Sequence, residues 1–328
     1  MQNVIVFVEQ KAGQTRKVTF ELATEARKVA DALGGKAHAI VLGAGAPALA
    51  EQLQKYPLDA IHVSDDADVD AFLIDPQIDY LEALAKSVGP SLVLMPHTMH
   101  GRDVASRIAA RLESGVAADV TAFKFEGAKV QCVAPKLGGA AITTCVFKNT
   151  EYGIVTVRPN AFAAQAGGGS AQIDQLSKPA GKTYAMKIEA LIEEASAEMG
   201  LEEAPVIVSG GRGLGGPEPF TTLLRPLADA LGGAVGATRA AADAGWVPYS
   251  MQIGQTGKTV SPQLYIAAGI SGAIQHKVGM RTAGTIIAIN KDEGVPIAEF
   301  SDLFVVGDAF QVVPELTKLV CAAKSAHA

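Results

Sequence analysis

The sequence predicts an α/β protein of two domains, each built on a parallel sheet. Three observations predict it. Short apolar, β-branched runs alternate with segments whose apolar residues recur every three or four positions, the β-α-β-α order of a sheet with helices on both faces. That alternation lapses after about residue 120 and restarts beyond Pro205. With 34 glycines, 48% hydrophobic residues and only 5% aromatics, the composition is that of a small-residue α/β protein, and 328 residues suffice for two domains that each bury a core.

Residues 4–8 (VIVFV), 38–42 (HAIVL), 60–63 (AIHV) and 91–95 (SLVLM) are predicted strands, each followed by a helical segment. The clearest helix, FELATEARKVADALGG, ends in two glycines suited to a left-handed cap. KVQCVAP, AAITTCVF and GIVTVRP follow without helices between them and are expected to extend or flank the same sheet. Residues 163–184 are poor in apolar side chains and rich in Gly, Ser, Gln and Lys, so a surface loop or arm is expected there. An acidic helix, EALIEEASAEMGLEEAP, should follow and end at Pro205. This places an N-terminal domain at 1–200 and a second at 205–328. In the second, VIVSG, AVGAT, LYIAAGI, TIIAIN and LFVVG supply about five strands, and a last helix runs through ELTKLV.

A net charge of −6 leaves no basic footprint, which argues against nucleic acid as a partner. The three cysteines, Cys132, Cys145 and Cys321, lack C-x-x-C spacing and suggest neither a disulfide framework nor a zinc site, so a reducing compartment fits. The chain opens into VIVFVE with no basic segment and apolar core of a secretory signal, and no apolar run reaches the roughly 18 residues of a membrane span. The bacterial cytoplasm is the expected location, or the mitochondrial matrix for a processed chain. His97 and His100, in PHTMH, have near-ligand spacing without a carboxylate or cysteine cluster and are expected to be loop residues.

IGQTGKTV, residues 253–260, ends like a phosphate-binding P-loop. The first glycine of that motif would fall on Gln252, and Gly254 comes too late for the loop to wrap a phosphate. VIVSGGRGLGG sets Gly211, Gly213 and Gly216 in a G-x-G-x-x-G pattern directly after a strand. The next strand ends in Thr238 and Arg239, where a nicotinamide dinucleotide site would place an acid, so an anionic or electron-rich group is favoured. The alternative for this segment is a glycine turn flanked by two surface arginines. AAGISGAIQH carries a strand through Gly269, Ser271 and Gly272 into a helix, an anion site by geometry and dipole. Strands also end on Asn290 and at Asp308. Polar residues at the carboxyl ends of parallel strands read together as one dinucleotide site, although each singly suits a helix cap or turn.

These residues together resemble the alpha subunit of electron-transfer flavoprotein. GGRGL, ATRAAADAGWVP, MQIGQTGKTVSPQLYIAAGISGAIQH, TIIAINKD and the run into VVPELT carry the likeness over residues 206–318. In the first half it rests on element order and stretches such as GRDVASRIAARL. The resemblance implies a Rossmann-like FAD-binding C-terminal domain. Its cofactor contacts would be Arg212, Thr238, Arg239, the turn Ile253, Gly254, Gln255 and Thr256, the segment Ser271, Gly272, Ala273, Ile274, Gln275 and His276, then Asn290, Asp308 and Ala309. By the same resemblance Thr238 and Ser271 would serve the pyrophosphate, and Asn290 and Asp308 the adenosine end. Thr256 would reach the flavin N5 edge, and His276 could donate to the pyrimidine carbonyl. Relatives often have serine in place of Thr238, which keeps the hydroxyl.

The family implies a heterodimer with a beta subunit that commonly holds AMP, and an electron carrier rather than an enzyme. It would accept electrons from flavoprotein dehydrogenases, such as those acting on acyl-CoA, and deliver them to a membrane-associated quinone oxidoreductase. An electron-bifurcating or nitrogen-fixation-linked version, with a second FAD in place of AMP, is the alternative within the family. Outside it stands a NAD-dependent deacylase-like or dehydrogenase domain, and Arg239 counts against the dehydrogenase.

Overall fold

In the strand Asn3–Phe7, Val4 and Val6 enter one apolar layer while Ile5 and Phe7 enter the other, and all four are buried. Burial on both faces is what makes such strands read as unbroken apolar runs. The computed structural model describes residues 2–327 apart from 12, 67, 70–72, 128, 138, 168–169, 185, 187 and 190–199. Two units emerge, Met1–Pro135 with Ile142–Glu194, and Lys136–Ala141 with Ala195–Ala328.

The sheet of the first unit has seven strands, ordered Gln172–Gln175, Ala60–Ser64, Ala37–Leu42, Asn3–Phe7, Pro90–Pro96, Gly153–Val157 and Val116–Val120. The pairings are parallel. Helices Lys17–Leu33 and Ala46–Leu53 cover one face, and Ile74–Val88 and Met99–Arg111 the other. Of the three β-branched runs, GIVTV joins this sheet. The other two form a separate three-stranded sheet with Ala122–Glu126.

Two expectations for this unit are corrected. The arm at 163–184 contains the strand Gln172–Gln175, which pairs Ile173 with Ile61 and Asp174 with His62. It lies at the sheet edge and is mostly exposed, so it needs no apolar run to hold its place. His100 is in the first turn of the Met99–Arg111 helix, bonded to Gln77 at 2.8 Å, rather than in a loop. His97 just precedes that helix and bonds the Thr156 hydroxyl at 2.8 Å. The expected acidic helix falls mainly on residues 190–199, outside the described residues.

The second unit holds a five-stranded parallel sheet ordered Ala234–Ala237, Val206–Gly210, Leu264–Ala268, Thr285–Asn290 and Leu303–Val306. Strand order reverses between Val206–Gly210 and Leu264–Ala268, which makes their carboxyl ends the switch point where open α/β sheets take ligands. On one face lie Val208, Val235 and Ile266 with residues of the Arg225–Leu231 and Ala309–His327 helices. On the other, Ile207, Tyr265 and Ala267 pack with Ile253, Met280 and Ile297.

The same device closes the first helix of each unit. Gly34 and Gly232 take left-handed φ values of 69° and 68°. The next glycines, Gly35 and Gly233, lie so near the first strand that an added Cβ would stand 2.1 Å from the Gln2 carbonyl and 2.4 Å from that of Val206. One glycine turns the chain and the other lets it pass. Among the described residues no helix is long and apolar enough to cross a membrane.

Candidate cofactor site

The hydrogen-bond ladder of the second sheet continues past its strands. Thr238 N–H donates to the Gly210 carbonyl (3.0 Å), Gly211 to Ala268 (3.0 Å), Gly269 to Ile289 (3.0 Å) and Gly307 to Asn290 (2.9 Å). These bonds align Thr238, Gly211–Arg212, Gly269–Ser271, Asn290 and Gly307–Asp308 along one carboxyl rim. Five strands about 4.8 Å apart make that rim about 19 Å long, room for an extended ligand.

Thr238 ends the second strand of this unit in extended backbone and begins a short helix. Its hydroxyl oxygen is buried and has no hydrogen-bond partner among the described residues. An orphaned buried hydroxyl costs free energy unless something supplies the missing bond. Arg212 is exposed in the turn after Val206–Gly210 and forms no ion pair among the described residues. Arg239 is exposed too, but its Nε lies 3.2 Å from the Asp243 carboxylate one helical turn on. Tyr249 donates to that carboxylate at 3.2 Å.

The segment 252–258 folds into a tight turn, not a phosphate loop. Ile253 N–H donates to Ala237 (2.9 Å), Lys258 to the Gln252 carbonyl (2.8 Å) and Gly257 to Gly254 (3.1 Å), so these donors are used inside the protein. The buried Gln252 amide donates to the Thr256 hydroxyl at 2.9 Å, and Gln255 N–H donates to the Gln275 carbonyl at 2.8 Å. Gln255 and Thr256 are exposed at the tip.

The helix expected at Ser271 starts at Ile274 and runs only seven residues, to Met280. Ser271 precedes it, exposed, with its carbonyl accepting from Ile297 N–H at 3.0 Å. Gly272 is wedged against Ile297, and Ala273 caps the helix through its carbonyl. Ala273, Ile274 and Gln275 are exposed. His276 is buried, its Nδ1 3.1 Å from the Ile253 carbonyl and its Nε2 3.0 Å from the Tyr265 hydroxyl. Both ring nitrogens are therefore bonded within the protein, unlike the expected donation to a flavin carbonyl. Burial pushes the imidazole down to about 4, partly opposed by the Ile253 carbonyl, so the ring is neutral near pH 7.

At the far end of the rim the polar residues also have internal work. The Asn290 amide donates to the Ile270 carbonyl (3.0 Å) and its side-chain oxygen accepts from Asp292 N–H (3.1 Å). Asp308 accepts from Phe310 N–H (2.9 Å) at the start of the last helix and lies 3.0 Å from Lys291 Nζ. Those two contacts, the backbone one first, hold its carboxyl below the usual range. Ala309 is buried beside it. The glycine pattern departs from its expected role as well. A Cβ on Gly211 or Gly213 would meet the Gly269 carbonyl at 2.3 or 2.7 Å, so both glycines serve the crossing of two strand-end loops, while Gly216 faces open space. Gln252 and Tyr265 are the contributors that sequence reasoning missed.

The assembled rim joins an unsatisfied hydroxyl and an uncompensated guanidinium at one end to an amide and an ion-paired carboxylate at the other, and it can hold an elongated anionic ligand. Comparison with known proteins then places the chain. Residues 4–181 match the family model described as the electron transfer flavoprotein domain, and residues 200–281 the one described as the electron transfer flavoprotein FAD-binding domain. The chain is 43% identical to the electron transfer flavoprotein subunit alpha of Mycobacterium leprae, over 99% of this chain and 100% of that one. It is 39% identical to the subunit of the same name in Thermoanaerobacterium thermosaccharolyticum, over 96% of both chains. Protein FixB of Clostridium saccharobutylicum is 38% identical over 96% of this chain and 95% of its own. A likeness that spans both units at this level identifies the chain as a member of the electron transfer flavoprotein alpha-subunit family.

Proposed function

We propose that this chain binds FAD along the carboxyl rim of its second sheet and acts, paired with a beta subunit that holds AMP, as an electron carrier without a substrate of its own. The observation that carries the reading is the orphaned Thr238 hydroxyl on the carboxyl rim, one strand from the switch point, a donor without a partner among the described residues where an anionic linker would lie. Thr238 and Ser271 would hold the pyrophosphate, and Asn290, Asp308 and Ala309 the adenosine end. Arg212, Arg239, the turn from Ile253 to Thr256 and the segment from Gly272 to His276 would flank the flavin. FAD supplies reversible electron uptake that no side chain here provides. The protein's part is to hold it in place and to set the charge around it.

Electrons would come from flavoprotein dehydrogenases, including those acting on acyl-CoA, and leave to a quinone oxidoreductase at the membrane. The second unit, residues 205–328, would carry the flavin and residues 1–200 the contact with the beta subunit. Co-expression with a beta subunit tests this: a yellow heterodimer with one FAD per complex is expected. Ser271→Asp should empty it, because a carboxylate there repels the pyrophosphate. Unchanged flavin content in that variant would sink the site assignment.

The identity with Protein FixB favours one further reading, a nitrogen-fixation-linked or electron-bifurcating carrier. Two flavins per heterodimer, counted from absorbance and protein concentration, would select it.

A further inference from the structure

Tyr265 sits mid-strand in Leu264–Ala268, fully buried, and its hydroxyl is 3.0 Å from His276 Nε2. The direction of each bond in this chain is fixed by chemistry. The Ile253 carbonyl can only accept, so the proton is on His276 Nδ1. A buried neutral ring then has Nε2 as acceptor, so Tyr265 donates. Sheet, helix and turn are thereby joined in one line: Tyr265 Oη–H to His276, His276 Nδ1–H to Ile253.

Two more contacts bind the same turn to the same helix. Gln255 N–H donates to the Gln275 carbonyl at 2.8 Å, and the helix backbone at Gly279 passes against Gly254. The His276 ring links these two segments and also reaches into the sheet through the Tyr265 side chain.

We propose that Tyr265 is a positioning residue for the cofactor site, locking His276 so that the turn from Ile253 to Lys258 stands at a fixed place above the sheet. The inference rests on the reading of the rim as an FAD site, since only then does the turn's position matter to electron transfer. A turn pinned to the sheet offers a bound group the same dipoles before and after its charge changes, the arrangement that costs no reorganisation. It also explains the buried polar pair. Tyr265 and His276 satisfy each other, and neither hydrogen bond would be needed if the layer were only apolar packing.

The test uses the full-length chain in its purified complex, with Tyr265→Phe as the isosteric deletion and His276→Asn as the conservative partner. Nitrogen chemical shifts of His276 should show the Nδ1–H tautomer in the wild type. In Tyr265→Phe the Nε2 signal should move toward an unbonded nitrogen, and the Gln255 amide should exchange about tenfold faster while amides of the first unit are unchanged. In His276→Asn the side-chain amide can still donate to the Ile253 carbonyl but is too short to take the Tyr265 bond, so Gln255 exchange should rise as it does in Tyr265→Phe, and exchange within about twofold of wild type would count against the lock. An Nε2–H tautomer or a charged ring in the wild type overturns the proposal, as does equal Gln255 protection in Tyr265→Phe. Should Tyr265→Phe fail to fold, the wild-type tautomer and the His276→Asn exchange decide. A complex purified without flavin would refute the FAD reading instead, and it would leave the tautomer and exchange results to be read independently.

Discussion

Gly279 lies against the backbone of Gly254: a Cβ added to Gly279 would stand 2.4 Å from the Gly254 nitrogen and 2.5 Å from its Cα. In an exposed helix, glycine to alanine gains about 1 kcal/mol of helix propensity. Here the obstacle is backbone, which cannot turn aside as a side chain can. Overpacking of this kind costs about 1–3 kcal/mol, so the clash wins. Gly279→Ala should lower the melting temperature and the bound flavin together, measured by calorimetry and absorbance. An alanine variant as stable as wild type would show that the helix and turn are not held in register.

How much of this arrangement was legible in the sequence varies by residue. The strands of both sheets were readable because parallel strands are apolar on both faces, and the helix ends at Gly34 and Gly232 because left-handed caps favour glycine. Gln172–Gln175 was not, since an edge strand is held by backbone pairing and its side chains stay wet. The polar residues at the strand ends were readable as a group, but their internal partners were not. Asn290 meets Ile270 and His276 meets Ile253 only because the sheet brings distant loops to one rim. Nothing in the spacing of Tyr265 and His276 reveals a hydrogen bond, and a G-x-G-x-x-G pattern looks the same whether its glycines face a phosphate or, as Gly211 and Gly213 do, another loop.

The unpartnered Thr238 hydroxyl gives a prediction with opposite signs in two states. In the cofactor-free protein, Thr238→Val removes a buried oxygen that bonds nothing, so stability should be unchanged or rise by up to about 1–3 kcal/mol. In the loaded protein the same change deletes a hydrogen bond worth about 1 kcal/mol, and FAD affinity should fall roughly fivefold or more. Denaturation of the apoprotein and flavin titration check the two halves. A variant that destabilises the apoprotein would show that the hydroxyl has an internal role.

His38 and His62 stack in adjacent strands of the first sheet, with Nδ1 of one 3.0 Å from Nε2 of the other. Burial, and then the His62 ring, push His38 down to about 4; burial also lowers His62, against the pull of Asp174. The unfolded chain takes up protons near pH 6.5 whereas the folded one refuses them until about pH 4. The sign follows: stability is full above pH 6.5 and falls with pH through that window, by up to about 1.4 kcal/mol per pH unit for each such histidine. Urea denaturation from pH 7.5 to 4.5 should show the slope, and His38→Gln should flatten it. Identical slopes in the two proteins would mean the pair does not resist protonation.

Arg239 is where charge and redox function meet. Its guanidinium is exposed and paired with Asp243 at 3.2 Å, so solvent screens it and its carboxylate partner offsets part of its field. Reducing a flavin adds negative charge, which a neighbouring cation favours, so Arg239→Leu should lower the potential and Asp243→Asn should raise it. A tenfold change in the equilibrium is about 59 mV for a one-electron couple, and a screened charge should give a fraction of that, some tens of millivolts. Lysine at 239 keeps the charge without the planar fork and should recover part of the loss. The opposite shifts at 239 and 243 separate an electrostatic effect from simple damage, because disruption of the short helix would move both variants the same way. Redox titration of the four proteins decides it: potentials that agree within about 10 mV, with normal flavin content, would place Arg239 outside the cofactor's field.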